Sequence, residues 1–183
     1  MVYQSLGDYQ KALDYYQQAL VIYTKFSNGD IHNIGNYIGV GNSFSNIGNS
    51  LANIGNVHLL LGDYSKALDY HQQALAIHKG FNDRSGEGKD LGNIGVVYQH
   101  LGDYQKALDY SQQALAINRR FDDEHEKKAN LDSIGIIHLY LGDYKKAMNY
   151  FQKTLAIAKE IGDKYGIGNS LTYIGLVYNR LVP

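Results

Sequence analysis

Residues 91–117, LGNIGVVYQHLGDYQKALDYSQQALAI, carry two apolar periodicities on either side of a turn signal. In the first half Leu91, Ile94, Gly95, Tyr98 and Leu101 step by threes and fours, which gathers them on one face of a helix, here helix A. In the second half Tyr104, Ala107, Leu108, Ser111, Ala114, Leu115 and Ile117 do the same, with Gln105, Lys106, Asp109 and Gln112 opposite; this is helix B. Between them stand Gly102 and Asp103. The glycine suits a chain reversal, and a carboxylate just ahead of a helix accepts from its first unpaired backbone donors.

The same design recurs. Leu-Gly-Asp-Tyr begins at Leu6, Leu61, Leu101 and Leu141, and from the second copy onward the interval is 40 residues. Helix B runs follow from Gln10, Ser65 and Lys145, helix A runs start at Leu51, Leu131 and Leu171, and Asp8, Asp63 and Asp143 are the matching caps. Gly55, Gly95, Gly135 and Gly175 fall mid-helix, where each costs about 1 kcal/mol relative to alanine. A position without Cβ on the packed face lets helices A and B approach closely, and Ala67 and Ala107 are expected as the small partners across that seam. Neither helix can bury its stripe alone, so the pairs must stack into a solenoid.

The interval from Leu6 to Leu61 is 55 residues, fifteen beyond the beat. The surplus lies in NIGNYIGVGNSFSNIGNSLANIGN, 33–56, where Ile31, Ile34, Ile38, Gly41, Phe44, Ile47, Leu51, Ile54, His58 and Leu61 keep helical spacing. The simplest expectation is a helix A extended at its N-terminus by two or more turns; the rival is the remnant of a lost repeat. Five glycines between Gly35 and Gly55 weaken the helix, so residues 27–42 are expected to be the least ordered.

Composition excludes more than it assigns. The chain has 183 residues and a net charge of −1, with an isoelectric point near 6.6, so it has no field to gather phosphate backbones or anionic lipid. No nucleic-acid or membrane partner is expected. It lacks cysteine, and neither a signal peptide nor 18 consecutive apolar residues can be found, which leads to a cytoplasmic expectation. GVGNSF has Phe44 where a phosphate loop needs glycine, and GEGKD has Asp90 where it needs Ser or Thr. His58 and His138 occupy the slot that Tyr3, Tyr98 and Tyr178 fill in sister repeats. His71 and His78 lie two turns apart without a carboxylate or cysteine at ligand spacing. Asp122, Asp123 and Glu124 read as a solvated linker, and Tyr64, Tyr104, Tyr144, Tyr70, Tyr110 and Tyr150 as framework. No catalytic residue, metal site or cofactor is expected.

The Ile-Gly, Tyr/His, Gly-Asp-Tyr, Ala and Ala positions resemble the tetratricopeptide repeat over nearly the whole chain. The resemblance implies an all-α α-solenoid, a right-handed superhelix of stacked antiparallel helix-turn-helix pairs. One array would span 1–183, with pairs at about 1–26 (partial), 46–81, 86–121 and 126–161, a lone helix A at 166–182, and an irregular or helix-extending insertion at 27–45. Against the usual 34-residue period there are six extra residues, FNDRSG from Phe81 and FDDEHE from Phe121, which read as a linker between pairs. Such longer repeats are similar to those of bacterial arrays and of adaptors with Leu-Gly-Asn repeats. Phe26, Phe81, Phe121 and Ile161 share the place at the end of helix B and are expected to pack beneath the next pair. Asp123 and Glu126 have capping-box spacing.

Function is implied by the same resemblance: a non-enzymatic scaffold for protein–protein interaction, with a peptide or helix of a partner lying along the other face of helix A. On this chain that face comprises Asn49, Asn53, Asn56 and Leu60; then Lys89, Asn93, Val96 and His100; then Ser133, Ile136 and Tyr140; then Asn169, Tyr173, Leu176 and Arg180. Asparagine amides can pair with an extended backbone, and tyrosines offer contact area at low entropic cost. A clamp for an acidic chaperone tail is not expected, because Ala52, Ala129 and Ser133 stand where basic or amide groups belong. The chain starts within a helix A and ends on one, leaving the stripe Leu171, Ile174, Gly175 and Tyr178 uncovered. This suggests a homo-oligomer stacked or swapped through its open ends, or a regulatory piece of a longer signalling protein.

Overall fold

The computed structural model describes residues 2–29, 37–118 and 124–181, and these form eight helices without a strand. In chain order they are α1 (Val2–Gly29), α2 (Tyr37–Leu60), α3 (Tyr64–Gly80), α4 (Arg84–His100), α5 (Tyr104–Asn118), α6 (Glu124–Tyr140), α7 (Tyr144–Glu160) and α8 (Lys164–Leu181). Each packs on its neighbours in sequence, while α2, α4, α6 and α8 also touch one another in a row. This is an α-solenoid, with α2, α4, α6 and α8 in the role of helix A and the others as helix B.

Turn chemistry sets the beat. At Leu61–Asp63 the amide of Asp63 donates to the His58 carbonyl at 2.9 Å and that of Gly62 to Leu59 at 3.0 Å, closing α2 with the glycine left-handed at φ 77°. Gly102, Gly142 and Gly162 repeat this geometry, and Asn82 takes the same place at φ 56°. Hence Phe81–Asp83 is a three-residue turn of the same kind, and Arg84, Ser85 and Gly86 already belong to α4. The six residues from Phe81 are therefore not a linker. They lengthen the helices: α3, α4, α6 and α7 have 17 residues each, nearly five turns. Two such helices and two three-residue turns make up the forty.

The aspartates after these turns divide the capping work unevenly. Asp63 and Asp103 accept from the amides of Lys66 and Lys106 at 3.3 and 3.2 Å. Asp143 makes no such bond; its carboxylate instead takes Lys146 Nζ at 3.1 Å and faces His138 Nδ1 at 3.3 Å. Asp83 and Asp163, in the reverse turns, accept from Gly86 and Gly166 at 2.9 and 2.8 Å and start the A helices. Asp8 corrects the sequence expectation, since α1 runs unbroken through Leu6-Gly7-Asp8-Tyr9. Asp122, Asp123 and Phe121 lie outside the described residues; Glu124 opens α6 and pairs with Lys127 at 2.9 Å.

The glycine seam is present, with Ala107 among its partners and larger groups nearest the glycines. A Cβ on Gly55 would meet the His71 ring at 2.9 Å, one on Gly95 the Ser111 hydroxyl at 2.7 Å and the Ala107 carbonyl at 3.2 Å, and one on Gly135 the Phe151 ring at 2.8 Å. Ala67 and Ala107 are fully buried, but the groups lying over the glycines are one turn further on: His71, Ser111 and Phe151. Gly95→Leu is therefore expected to destabilise by roughly 1–3 kcal/mol, because the obstacle includes backbone that cannot rotate away. An unchanged urea midpoint would refute the close-approach reading. Beside each seam a ring of helix A stacks on a tyrosine of helix B: His58 on Tyr70, Tyr98 on Tyr110 and His138 on Tyr150, at 5.5, 5.5 and 5.6 Å.

The insertion resolves into helix where it is described. α2 has 24 residues against 17 in α4, two turns more at its N-terminus. Residues 30–36 of the segment expected to be least ordered lie outside the described residues. Phe81 stacks on Phe44, which follows that extension, at 3.8 Å, and Ile161 packs on the cluster of Leu115, Leu131, Ile134 and Ile157. Both residues thus pack back onto preceding helices, not beneath the next pair, since the tight turn points them toward the helices just completed.

Candidate functional site

The row formed by α2, α4, α6 and α8 gathers most of the face read from the sequence into two adjoining hollows. The first, about 290 Å³, is lined by Asn56 from α2, Lys89, Gly92, Asn93 and Val96 from α4, and Glu126, Ala129, Asn130 and Ser133 from α6. It is polar and internally balanced. Lys89 Nζ faces Glu126 across it at 3.7 Å, and Ser133 donates to the Ala129 carbonyl of its own helix at 3.1 Å. Gly92 matters here because a Cβ would come within 3.1 Å of the Asn130 amide oxygen. Asn130 is 5% exposed, and its amide nitrogen lacks a partner.

The second hollow, about 450 Å³, has Ile136, Leu139 and Tyr140 from α6, Tyr173, Leu176 and Arg180 from α8, Gln99 from α4 and Tyr144 from α7. It brings together three aliphatic side chains, three tyrosines, one amide and one cation. Tyr173 stacks on Phe151 at 4.8 Å, and burial raises its phenol pKa above the ordinary value, with the Asp132 charge adding to the shift. Of the expected residues, Asn49, Asn53, Leu60, His100 and Asn169 line neither hollow. His100 instead stacks on Tyr64 at 5.3 Å.

Sequence reading missed two contributors to the second hollow: Leu139 and Tyr144. It also missed a buried pair at the α3–α4 junction. His78 Nδ1 lies 2.6 Å from Asp90 Oδ2, both side chains 1% exposed, and Asp83, held by Ser45 at 3.1 Å, faces the other ring nitrogen at 3.9 Å. His78 does have a carboxylate, twelve residues on and across the turn. The available signal was Asp90 itself, a charge four residues before Ile94 on the buried stripe of helix A. Burial opposes charge on His78, but the Asp90 hydrogen bond and the charges of Asp90 and Asp83 outweigh it and raise its pKa. The GEGKD stretch, Gly86–Asp90, lies in the first half of α4.

Family models described as Tetratricopeptide repeat match residues 91–160, 48–81 and 1–28. The chain belongs to the tetratricopeptide repeat family. Among solved structures, aspartyl phosphate phosphatase F from Bacillus subtilis is similar at 21% identity and a TM-score of 0.79, over 96% of this chain and 42% of that one. The Rap conjugation gene regulator of the plasmid pLS20, solved in complex with the Phr* peptide, aligns at 18% identity and a TM-score of 0.67, over 83% of this chain and 43% of that one. The Sgt2 tetratricopeptide repeat domain from Aspergillus fumigatus aligns at 20% identity and a TM-score of 0.58, over 73% and 78%. This tetratricopeptide repeat chain thus spans under half the length of the first two structures. A search of curated proteins finds no match to it. No helix among the described residues is long and apolar enough to cross a membrane.

Proposed function

We propose that this repeat array is a non-enzymatic cytoplasmic scaffold that holds a peptide, or a helix of a partner protein, along the row of α2, α4, α6 and α8. The observation that carries the reading is the pair of adjoining hollows on that row, one rich in amides and the next in aromatic rings. Amides can satisfy a ligand's backbone, while the rings supply the buried contact that dominates interface energetics. A similarly folded regulator solved with a peptide supports the same choice of ligand. Selection of displayed random peptides against the whole chain should yield binders. Asn93→Ala and Tyr140→Ala should each weaken them by at least about 1 kcal/mol, with thermal unfolding little changed. Binders indifferent to both substitutions would place the ligand elsewhere.

Self-assembly is a second reading, favoured by the outer helices. Leu171 and Tyr178 are 52% and 56% exposed on α8, and nothing lies within 4 Å of a Cβ placed on Gly175, where sister glycines carry a helix B. On α1, Tyr15 and Ile22 are 71% and 52% exposed at the positions of Tyr70 and Ile77, which in α3 face its own helix A. The two open faces are complementary halves of one pair. Light scattering over a concentration series should then show association that Gly175→Leu removes without unfolding the chain. A strict monomer throughout would end this reading.

A further inference from the structure

We infer that the hollow between α6 and α8 is a slot for an aromatic side chain of the bound peptide, with Arg180 receiving a carboxylate from the same or an adjacent residue. This rests on the groove reading and narrows it to one kind of ligand.

The argument starts from a ladder that stops. The tyrosine opening each helix B stacks on the residue 36 positions later, at the end of the following helix A: Tyr64 on His100 at 5.3 Å and Tyr104 on Tyr140 at 5.3 Å, with interplanar angles of 20° and 7°. The next rung pairs Tyr144 with Arg180, which has no ring to offer. Here the surface opens into the 450 Å³ hollow, and both residues line it. That volume lies within the range of about 300–1,000 Å³ typical of sites for small ligands. Tyr144 therefore has a rung to share, and Ile136, Leu139 and Leu176 wall the space with apolar surface. A planar ring fits this chemistry better than an aliphatic chain, because the same slot is filled by rings in the two preceding pairs.

Charge selects the rest. Lys89 faces Glu126, and Lys128 is engaged by Asp132 and Asp163 at 3.0 and 3.5 Å. Arg180 makes no ion pair among the described residues. A guanidinium beside low-dielectric aromatic walls binds carboxylate in preference to a neutral amide.

The test uses the whole chain with labelled methyl groups and three probes: N-acetyltryptophan, its amide, and N-acetylalanine. N-acetyltryptophan should shift the Ile136 and Leu176 methyl signals, the amide should bind several-fold more weakly, and N-acetylalanine should shift neither. Arg180→Gln should erase the preference for acid over amide. Arg180→Tyr, which completes the ladder, should lower binding at least tenfold while circular dichroism stays unchanged. Equal binding of acid and amide to the parent chain, or undiminished binding to Arg180→Tyr, would overturn the slot. Groove-bound peptides without aromatic residues and insensitive to Arg180→Tyr would likewise sink it, yet leave the groove reading standing. N-acetyltryptophan bound at Ile136 and Leu176 in a chain that selects no peptide would support the slot and defeat the groove.

Discussion

Phe151→Ala is expected to lower stability by about 3–5 kcal/mol. The side chain is fully buried and is the largest to be so among the described residues. Its ring spans three helices: it belongs to α7, lies over Gly135 of α6, and stacks on Tyr173 of α8, with Ala147 and Val177 completing the cluster. The cavity left by truncation is hard to refill, because the residue facing it across the seam is a glycine with no side chain to swing in. Stability in a solenoid is held between nearest neighbours, so the loss should be regional. Amide exchange in α7 and α8 should accelerate first, while α4 and α5 keep their protection. Gly135→Ala should be damaging in the parent chain and tolerated in the Phe151→Ala background, the coupling that a shared contact produces. A midpoint change below about 1 kcal/mol would show that the ring contributes little to holding the three helices together.

The forty-residue beat and both apolar stripes were legible because helical periodicity is a local property of sequence. The reverse turn was not. Phe81-Asn82-Asp83 lacks the Gly-Asp signature, and asparagine does the work that glycine does elsewhere, since its short polar side chain tolerates a left-handed backbone. Asp8 misled for the opposite reason. It carries the full turn signature, yet a signature only permits a reversal, and α1 runs straight through it. The seam glycines were read correctly as spacers, but which group fills the space depends on the axial offset of two antiparallel helices. That offset brings the side chains of His71, Ser111 and Phe151 over the glycines, with the Ala107 carbonyl beside Gly95.

The candidate face divides along the same line. Which residues point away from helix B follows from 3.6-residue periodicity, so Asn93, Val96, Ile136, Tyr140, Tyr173 and Leu176 could be named in advance. Tyr144 could not, because it belongs to α7 and meets the hollow beside Arg180, 36 positions later, a relation fixed by superhelical geometry. The His78–Asp90 pair was hidden likewise, its members belonging to different helices of different repeats.

Between pH 6.5 and 4 the array should lose about 3 kcal/mol of stability, most of it through His71. This ring is completely buried over Gly55, neither nitrogen has a partner, and burial lowers its pKa from 6.5 to about 4. Unfolded chains take up the proton near pH 6.5 and folded chains do not until near pH 4. The unfolded state thus binds more protons across that window, and stability falls by about 1.4 kcal/mol per unit as pH drops. His58, lowered by burial, adds in the same direction. His78 does not: its folded pKa is raised, so its contribution is intact below 6.5 and is lost only as pH rises through the folded value. Asp90, raised by burial, opposes the trend toward the acid end, whereas the lowered carboxylates Asp63, Asp103, Asp143 and Asp163 act below 3.8. His71→Phe isolates the cause. The equivalent slot over Gly135 already holds phenylalanine, so the ring should fit. Removing two unpartnered buried nitrogens should stabilise the chain at pH 7 by about 1–3 kcal/mol. The same variant should flatten the acid slope in urea titrations at pH 4.5, 5.5 and 6.5. A variant with the parent's full slope would mean that the acid-sensitive group lies elsewhere.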